Sequence, residues 1–135
     1  CFDGMELCCD DFIQRLLAIM VTKRKIKMTV QEIATACQFN VLCLPEPNRE
    51  IDGAYVGDLL SWVVGRAKSG DAWVTIMSNL NIVAVASLSD PSCIILSEGV
   101  LLDDGVKERA ERQLVNVLRS NKDTFSVCAE IAAVL

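Results

Sequence analysis

The chain has 135 residues, room for one domain, and 52% of them are hydrophobic while only 5% are aromatic. A chain of this length buries roughly two thirds of its unfolded surface, so wholesale disorder is excluded and the core must be aliphatic. The net charge of −5 and the lone basic run Lys23-Arg24-Lys25-Ile26-Lys27 argue against nucleic acid, whose binders carry a basic footprint, and the absence of histidine removes the commonest general base, zinc ligand and nucleophile partner.

Residues 9–20 place Cys9, Phe12, Ile13, Leu16, Leu17 and Met20 at i, i+3, i+4 spacing, which predicts an amphipathic helix. The basic run ends it. Acidic residues precede its apolar part and basic ones follow, the reverse of a signal peptide. Its longest apolar stretch, Leu16–Val21, is too short to span a bilayer. Residues 1–27 read either as an appendage to a domain spanning 28–135 or as a helix integral to it. Thr29-Val30-Gln31-Glu32 fits a capping box, and Val30, Ile33, Ala34 and Cys37 form the inner face of the helix it opens.

Phe39–Leu44 reads as a strand, Pro45–Arg49 as a loop, and Ile51–Val56 as a second strand. Asp58 is expected to cap a helix reaching Ala67, with Leu59, Leu60, Val63 and Ala67 inward. Ala72–Met77, Cys93–Leu96 and Leu114–Leu118 are three further strands, each followed by a small polar turn. Asn81–Ser87 is rich in β-branched residues but lies between two strands that need a crossover, so it is assigned as a deeply buried helix. Residues 104–112 form a mostly solvated helix with Val106 and Ala110 inward. The last helix, Thr124 to about Val134, is capped by Asp123 or Thr124 and buries Phe125, Cys128, Ala129 and Ala132.

Strand–helix alternation implies a single α/β domain, a layered sheet of mostly parallel strands with covering helices. Every polar turn then lies at a strand's carboxyl end, the edge along which open α/β sheets bind ligands. Asp58, Ser61, Ser78, Asn79, Asn81, Ser97 and Gly99 are the candidate ligand-binding residues there. Asn79 and Asn81 offer amide donors and acceptors beside a helix start, where backbone N–H groups favour anions. The same residues also suit ordinary N-caps.

No catalytic residue, metal site or cofactor is indicated. The phosphate-binding, dinucleotide and nucleophile-elbow motifs are all missing. Asp10-Asp11 and Asp103-Asp104 read as helix-dipole partners. Of seven cysteines, Cys37, Cys43, Cys93 and Cys128 lie on apolar faces and read as small, unpaired core residues. With no signal peptide, buried thiols point to a reduced, cytoplasmic setting. The run Asn48–Ser61 carries Gly53 and Gly57 and reads either as a glycine-kinked strand feeding a helix or as a backbone cradle for an anion.

That run, with Trp62–Ala67, Gly70–Thr75 and Asn81–Ala86, resembles the DRTGG domain family over about residues 28–135. The resemblance is most specific at Gly53, Asp58–Ser61 and Asn81–Val85. Asn48 stands where the name motif has Asp, Ala54 where it has its second Gly, and Asn79 where small bacterial members have His. The resemblance implies an α/β domain similar to the N-terminal domain of HPr kinase/phosphorylase, found alone or beside CBS domains and phosphotransacetylases. It implies a regulatory or oligomer-forming role without catalysis, and the kinase activity itself is excluded by the missing phosphate-binding loop. Two readings follow. The first is a non-enzymatic regulatory or ligand-sensing module taking a small anionic metabolite or nucleotide at the strand ends. The second is a structural interaction subunit of a larger enzyme, an iron–sulfur redox enzyme in the genomic setting of some members. Uncovered apolar stripes on residues 9–20 and 81–86 predict a homodimer, against a monomer whose first helix docks on its own sheet.

Overall fold

The structure is a computed structural model that describes residues 13–15 and 27–135. In chain order the elements are β1 (Met28–Thr29), α1 (Val30–Ala36), β2 (Asn40–Cys43), β3 (Glu50–Ile51), β4 (Gly53–Val56), α2 (Leu60–Arg66), β5 (Asp71–Thr75), α3 (Asn81–Ser89), β6 (Cys93–Leu96), α4 (Asp104–Arg112), β7 (Val117–Arg119) and α5 (Thr124–Val134). The expected α/β architecture is present. A five-stranded sheet runs β2-β7-β6-β5-β4, and β4, β5, β6 and β7 pair in parallel. Only β2 is antiparallel, at one edge.

Side chains alternate across the strands, so each face takes its own core. Ala72, Val74, Cys93, Ile95 and Leu118 point to the face covered by α1 and α5, against Val30, Ile33, Val127 and Ile131. Trp73, Ile94, Leu96 and Val117 point to the other, against Val63 of α2, Ile82, Val83 and Ala86 of α3, and Val106 and Ala110 of α4. Burying each such aliphatic side chain contributes about 1.5–3 kcal/mol. β4, β5 and β6 each feed a helix on this second face, which fixes the amino ends of α2, α3 and α4 along the carboxyl edge of the sheet.

Several boundaries depart from the sequence reading. The expected strand Ile51–Val56 is two strands. The main chain breaks at Asp52, whose amide donates to the Gly70 carbonyl at 2.9 Å, and β3 pairs with β1 in a separate two-stranded ribbon. The strand expected at Leu114–Leu118 begins only at Val117, because Leu114 (φ 58°) is a left-handed residue that ends α4. Asp58 does not cap α2. Leu59 holds the N-cap position without a side-chain bond, and it is exposed rather than inward.

On α5, Val127 and Ile131 face the core, while Phe125 (81% exposed), Ala129 and Ala132 are on the outside and Cys128 is half-buried. This helix is apolar nearly all round, so periodicity could not select its inner face. Where caps were read correctly they are explicit. The Thr29 hydroxyl accepts from the Glu32 amide, and Asp123 accepts from the Ser126 amide. The helix expected over residues 9–20 lies outside the described residues except for 13–15, which are helical with Ile13 52% exposed.

Candidate functional site

The carboxyl edge is built by the turns after β4, β5, β6 and β7. Asp58, leaving β4, accepts from the Thr75 hydroxyl at 2.8 Å and the Ile76 amide at 2.9 Å, which lashes the β4–α2 turn to the end of β5. The buried Trp73 indole adds a second tie, donating to the Gly57 carbonyl at 2.9 Å. The negative charge of Asp58 is thereby turned onto β5 and away from the α2 amino end.

The loop after β6 is held from the far side. Glu98 and Gly99 both take positive φ, 59° and 68°. The Glu98 carboxylate accepts from the Thr124 amide at 2.7 Å, and Ser97 and Thr124 share a hydroxyl–hydroxyl bond of 2.7 Å. Arg119 donates to the Gly99 and Val100 carbonyls, both at 2.9 Å. Ser97 is fully buried and Gly99 donates to the Ser120 carbonyl, so these two candidate residues serve the loop's own framework. None of Thr75, Glu98 and Arg119 carries a sequence signal beyond lying near a strand end, and Thr124 is marked in the sequence only as a candidate helix cap.

The turn between β5 and α3 differs. The Asn79 side chain accepts from the Asn81 amide at 3.0 Å, a local Asx turn into the helix. The N-cap position is taken by Leu80, which has no side-chain acceptor, and no acidic residue lies in the first turn. Among the described residues, the amides of Ser78, Asn79 and Leu80 and the hydroxyls of Ser61 and Ser78 make no hydrogen bond. Asn81 also lines a cavity of about 150 Å³ between α3 and α4 together with Arg109 and Gln113. Arg109 makes no ion pair with another described residue. Sequence reasoning passed over Arg109 because a charge on a solvated helix carries no periodic signal.

Ser78, Asn79 and Asn81 are therefore brought together at one helix start. Asp58 adjoins them through Ile76, Ser61 lies on the first turn of α2, and Ser97 and Gly99 stand on the neighbouring loop. Among the described residues, no three His, Cys, Asp or Glu side chains cluster closely enough to hold a metal ion. Burial pushes the thiols of Cys37 and Cys128 up, that of Cys43 to about 11 and that of Cys93 to about 12, so all four are thiols rather than thiolate nucleophiles at neutral pH.

A second, larger cavity lies elsewhere. A groove of about 450 Å³ runs between α5 and the outer strand β4, floored by Ala54, Val56 and Val74, walled by Cys128, Ile131, Ala132 and Leu135, and closed at one end by Lys27, Met28, Ile51 and Asp52. It exists because α5 reaches across β5 and leaves the same face of β4 uncovered. Val56 stays 49% exposed while its neighbour in register, Val74, is fully buried.

Residues 32–134 match the DRTGG domain. The chain belongs to the DRTGG domain family. Among solved structures it is similar to the CBS and DRTGG domains of the regulatory region of Clostridium perfringens pyrophosphatase, crystallised with the activator diadenosine tetraphosphate. The TM-score is 0.62 at 16% sequence identity, and the match covers 79% of this chain and 47% of that one. The chain thus spans about half the length of that regulatory region. No curated protein matches the sequence. Among the described residues, no helix of this DRTGG domain is long and apolar enough to cross a membrane.

Proposed function

We propose that this DRTGG domain is a non-enzymatic regulatory module that senses a small phosphate-bearing ligand, of the nucleotide class, at the start of α3. The observation that carries this reading is that donors and a cation without partners among the described residues stand at one helix start. The Ser78, Asn79 and Leu80 amides lie just ahead of a nine-residue helix, and Asn81 shares its cavity with Arg109. Helix amino ends hold about half a positive charge and present N–H groups to anions. The clostridial regulatory region, similar in fold, was crystallised with a dinucleoside polyphosphate, which supports the ligand class. Ser61, Ser78, Asn79 and Asn81 are the residues of this chain assigned to contact, with Arg109 as the cation. Asp58, Ser97 and Gly99 shape the edge.

The Asn79→Asp variant separates binding from folding. A carboxylate keeps the acceptor for the Asn81 amide and adds charge that suits a helix amino end, so stability should hold or rise by about 0.3–1 kcal/mol. The same charge repels a phosphate. The expected outcome is a thermal shift with mono-, di- and dinucleoside phosphates in the wild-type chain, lost in Asn79→Asp and reduced in Arg109→Gln. A panel that shifts nothing, or one that shifts all three proteins alike, overturns the reading.

The second reading, an interaction module within a larger assembly, is favoured by the open apolar groove and by the outward Phe125, Ala129 and Ala132 of α5. Homodimer formation falls under this reading. Sedimentation at micromolar concentration tests it, and a monomer throughout removes it.

A further inference from the structure

The two outer strands of the sheet are finished differently. β2 carries a register irregularity between Val41 and Cys43, a device that blunts an edge against further pairing. β4 pairs with β5 in unbroken register from Gly53 to Val56 and has no proline or charged residue. The Gly57 amide donates to the Val74 carbonyl at 3.2 Å, so Gly57, Tyr55 and Gly53 turn their main-chain groups toward β5. These groups alternate along a strand, which turns the amides and carbonyls of Ala54 and Val56 outward. Among the described residues, nothing pairs with them.

A cavity flanks that edge on each face of the sheet. On the α5 face it is the apolar groove floored by Ala54 and Val56. On the α2 face it is a cavity of about 440 Å³ whose lining includes Gly53, Tyr55, Arg66 and Lys68 together with Asp52 and Asp71. The charges there are unequal. Asp52 is ion-paired to Lys27 at 3.0 Å, and Asp71 is buried and accepts from the Lys68 amide at 2.8 Å. The Arg66 and Lys68 side chains are exposed and make no ion pair with another described residue. Arg66 is held over the Trp62 ring, 3.7 Å from its centroid. A strand sends alternate side chains to opposite faces. One added beside β4 sets every second side chain over the apolar groove and the others beside these cations.

We propose that the free edge of β4 takes an extended segment of a partner protein as a further strand, apolar at alternate residues and acidic at those between. The outward main-chain groups supply affinity, and the two cavities supply specificity. A second copy of this chain is the poorer occupant. Its own edge, Gly53–Val56, has no acidic side chain to offer Arg66 and Lys68. Two-fold pairing of β4 with itself also lays the two α2 faces side by side and gathers their like charges. The proposal rests on the interaction-module reading and uses no part of the α3 site, so nucleotide-induced thermal shifts neither support nor oppose it.

The probes are two fluorescein-labelled peptides of about ten residues, one alternating valine with glutamate and one alternating valine with lysine, titrated against the full chain by fluorescence polarisation. The net charge of −5 works against the acidic peptide, so a preference for it reports the local edge. The acidic peptide should bind the wild-type chain roughly tenfold or more tightly than the basic one. Ala54→Pro removes one outward amide at an edge position that tolerates proline, and should weaken that binding roughly tenfold or more. Arg66→Glu/Lys68→Glu, on exposed positions, should invert the preference. Equal or absent binding of the two peptides overturns the proposal, as does an unchanged preference in the double variant or unchanged affinity in a folded Ala54→Pro chain. Should circular dichroism show Ala54→Pro unfolded, the double variant decides. Sedimentation of the same samples separates the alternatives. A dimer that binds neither peptide overturns the proposal in favour of a second copy while keeping the interaction reading, and a monomer that binds neither removes both.

Discussion

At the amino ends of the parallel strands, the polar groups are tied to one another across the sheet. Asn116, only 1% exposed, donates to the Glu46 carbonyl at 2.8 Å and the Ser92 carbonyl at 3.0 Å, and accepts from the Glu46 amide at 2.9 Å. The Asp71 carboxylate accepts from the Lys68 amide at 2.8 Å, and Ser92 donates to the Glu50 carbonyl. Asp90 receives Ser69 at 2.6 Å and Arg49 at 2.9 Å. Gly70, with φ 89° and an Asp52 oxygen 2.5 Å from where a Cβ would stand, is a position only glycine fills without movement. At the carboxyl ends, the side chains secure the β4 and β6 turns but leave the Ser78, Asn79 and Leu80 amides ahead of α3 and the Arg109 side chain without partners among the described residues. One edge is closed by hydrogen bonds. The other has donors without partners among the described residues, and that asymmetry is why the ligand site is proposed there.

The largest break in this comparison should come from Asn116→Leu. It leaves the half-buried Glu46 amide and carbonyl and the buried Ser92 carbonyl without their Asn116 partner, at about 1–3 kcal/mol for an unmade buried bond. A total near 3 kcal/mol, or a fall in melting temperature of roughly 10 °C for a domain of this size, is expected by calorimetry. A loss no larger than that of an exposed surface substitution would show that the amino edge is not the fastened one.

The same contrast explains what was legible beforehand. The parallel β5, β6 and β7 were visible because Trp73, Ile94 and Leu118 sit in short apolar runs bounded by polar turns, and their burial on both faces enforces that pattern. The deep burial of α3 was legible for a related reason. Ile82, Val83, Val85 and Ala86 are too apolar to be left outside. What failed depended on tertiary choice. Phe125 and Val127 are both apolar on one helix, and only the position of the sheet selects Val127. Asp58 has the residue type of a helix cap, yet Thr75 and Ile76 become its partners once β4 and β5 pair in register. Of the candidate site residues, Ser78, Asn79 and Asn81 fall together because they are adjacent in sequence. Arg109 joins Asn81 only through α3–α4 packing, which no single-chain pattern announces.

Asp58→Asn gives a smaller, sharpening effect at the carboxyl edge. The amide retains one acceptor for Thr75 or Ile76 but removes the charge that strengthens both bonds, so a loss of about 1 kcal/mol is expected in urea unfolding. The α3 donors are untouched, so nucleotide-dependent thermal shifts should persist. If the shifts vanish while stability stays, Asp58 belongs to the ligand contacts rather than to the frame.

The smallest effect is a pH dependence confined to the amino edge. The Ser69 hydroxyl beside Asp90, helped by the Arg49 guanidinium, holds the Asp90 carboxyl below the ordinary carboxylate range against an opposing desolvation. A carboxylate whose folded-state value is depressed contributes stability that is fully present above its unfolded value, near 3.9, and is lost as pH falls through the folded one. Asp90 is largely exposed, so solvent screening limits the contribution to well under about 1 kcal/mol. Ser69→Ala removes the leading cause. Its unfolding midpoint in urea should lie slightly below that of the wild-type chain at pH 7, and the gap should begin to narrow below about pH 4 and close only as the pH falls through the depressed folded-state range of Asp90, below which it is protonated in both proteins. A gap that stays constant from pH 7 down to pH 2 would assign the Ser69 effect to packing and remove Asp90 from the electrostatic fastening of this edge.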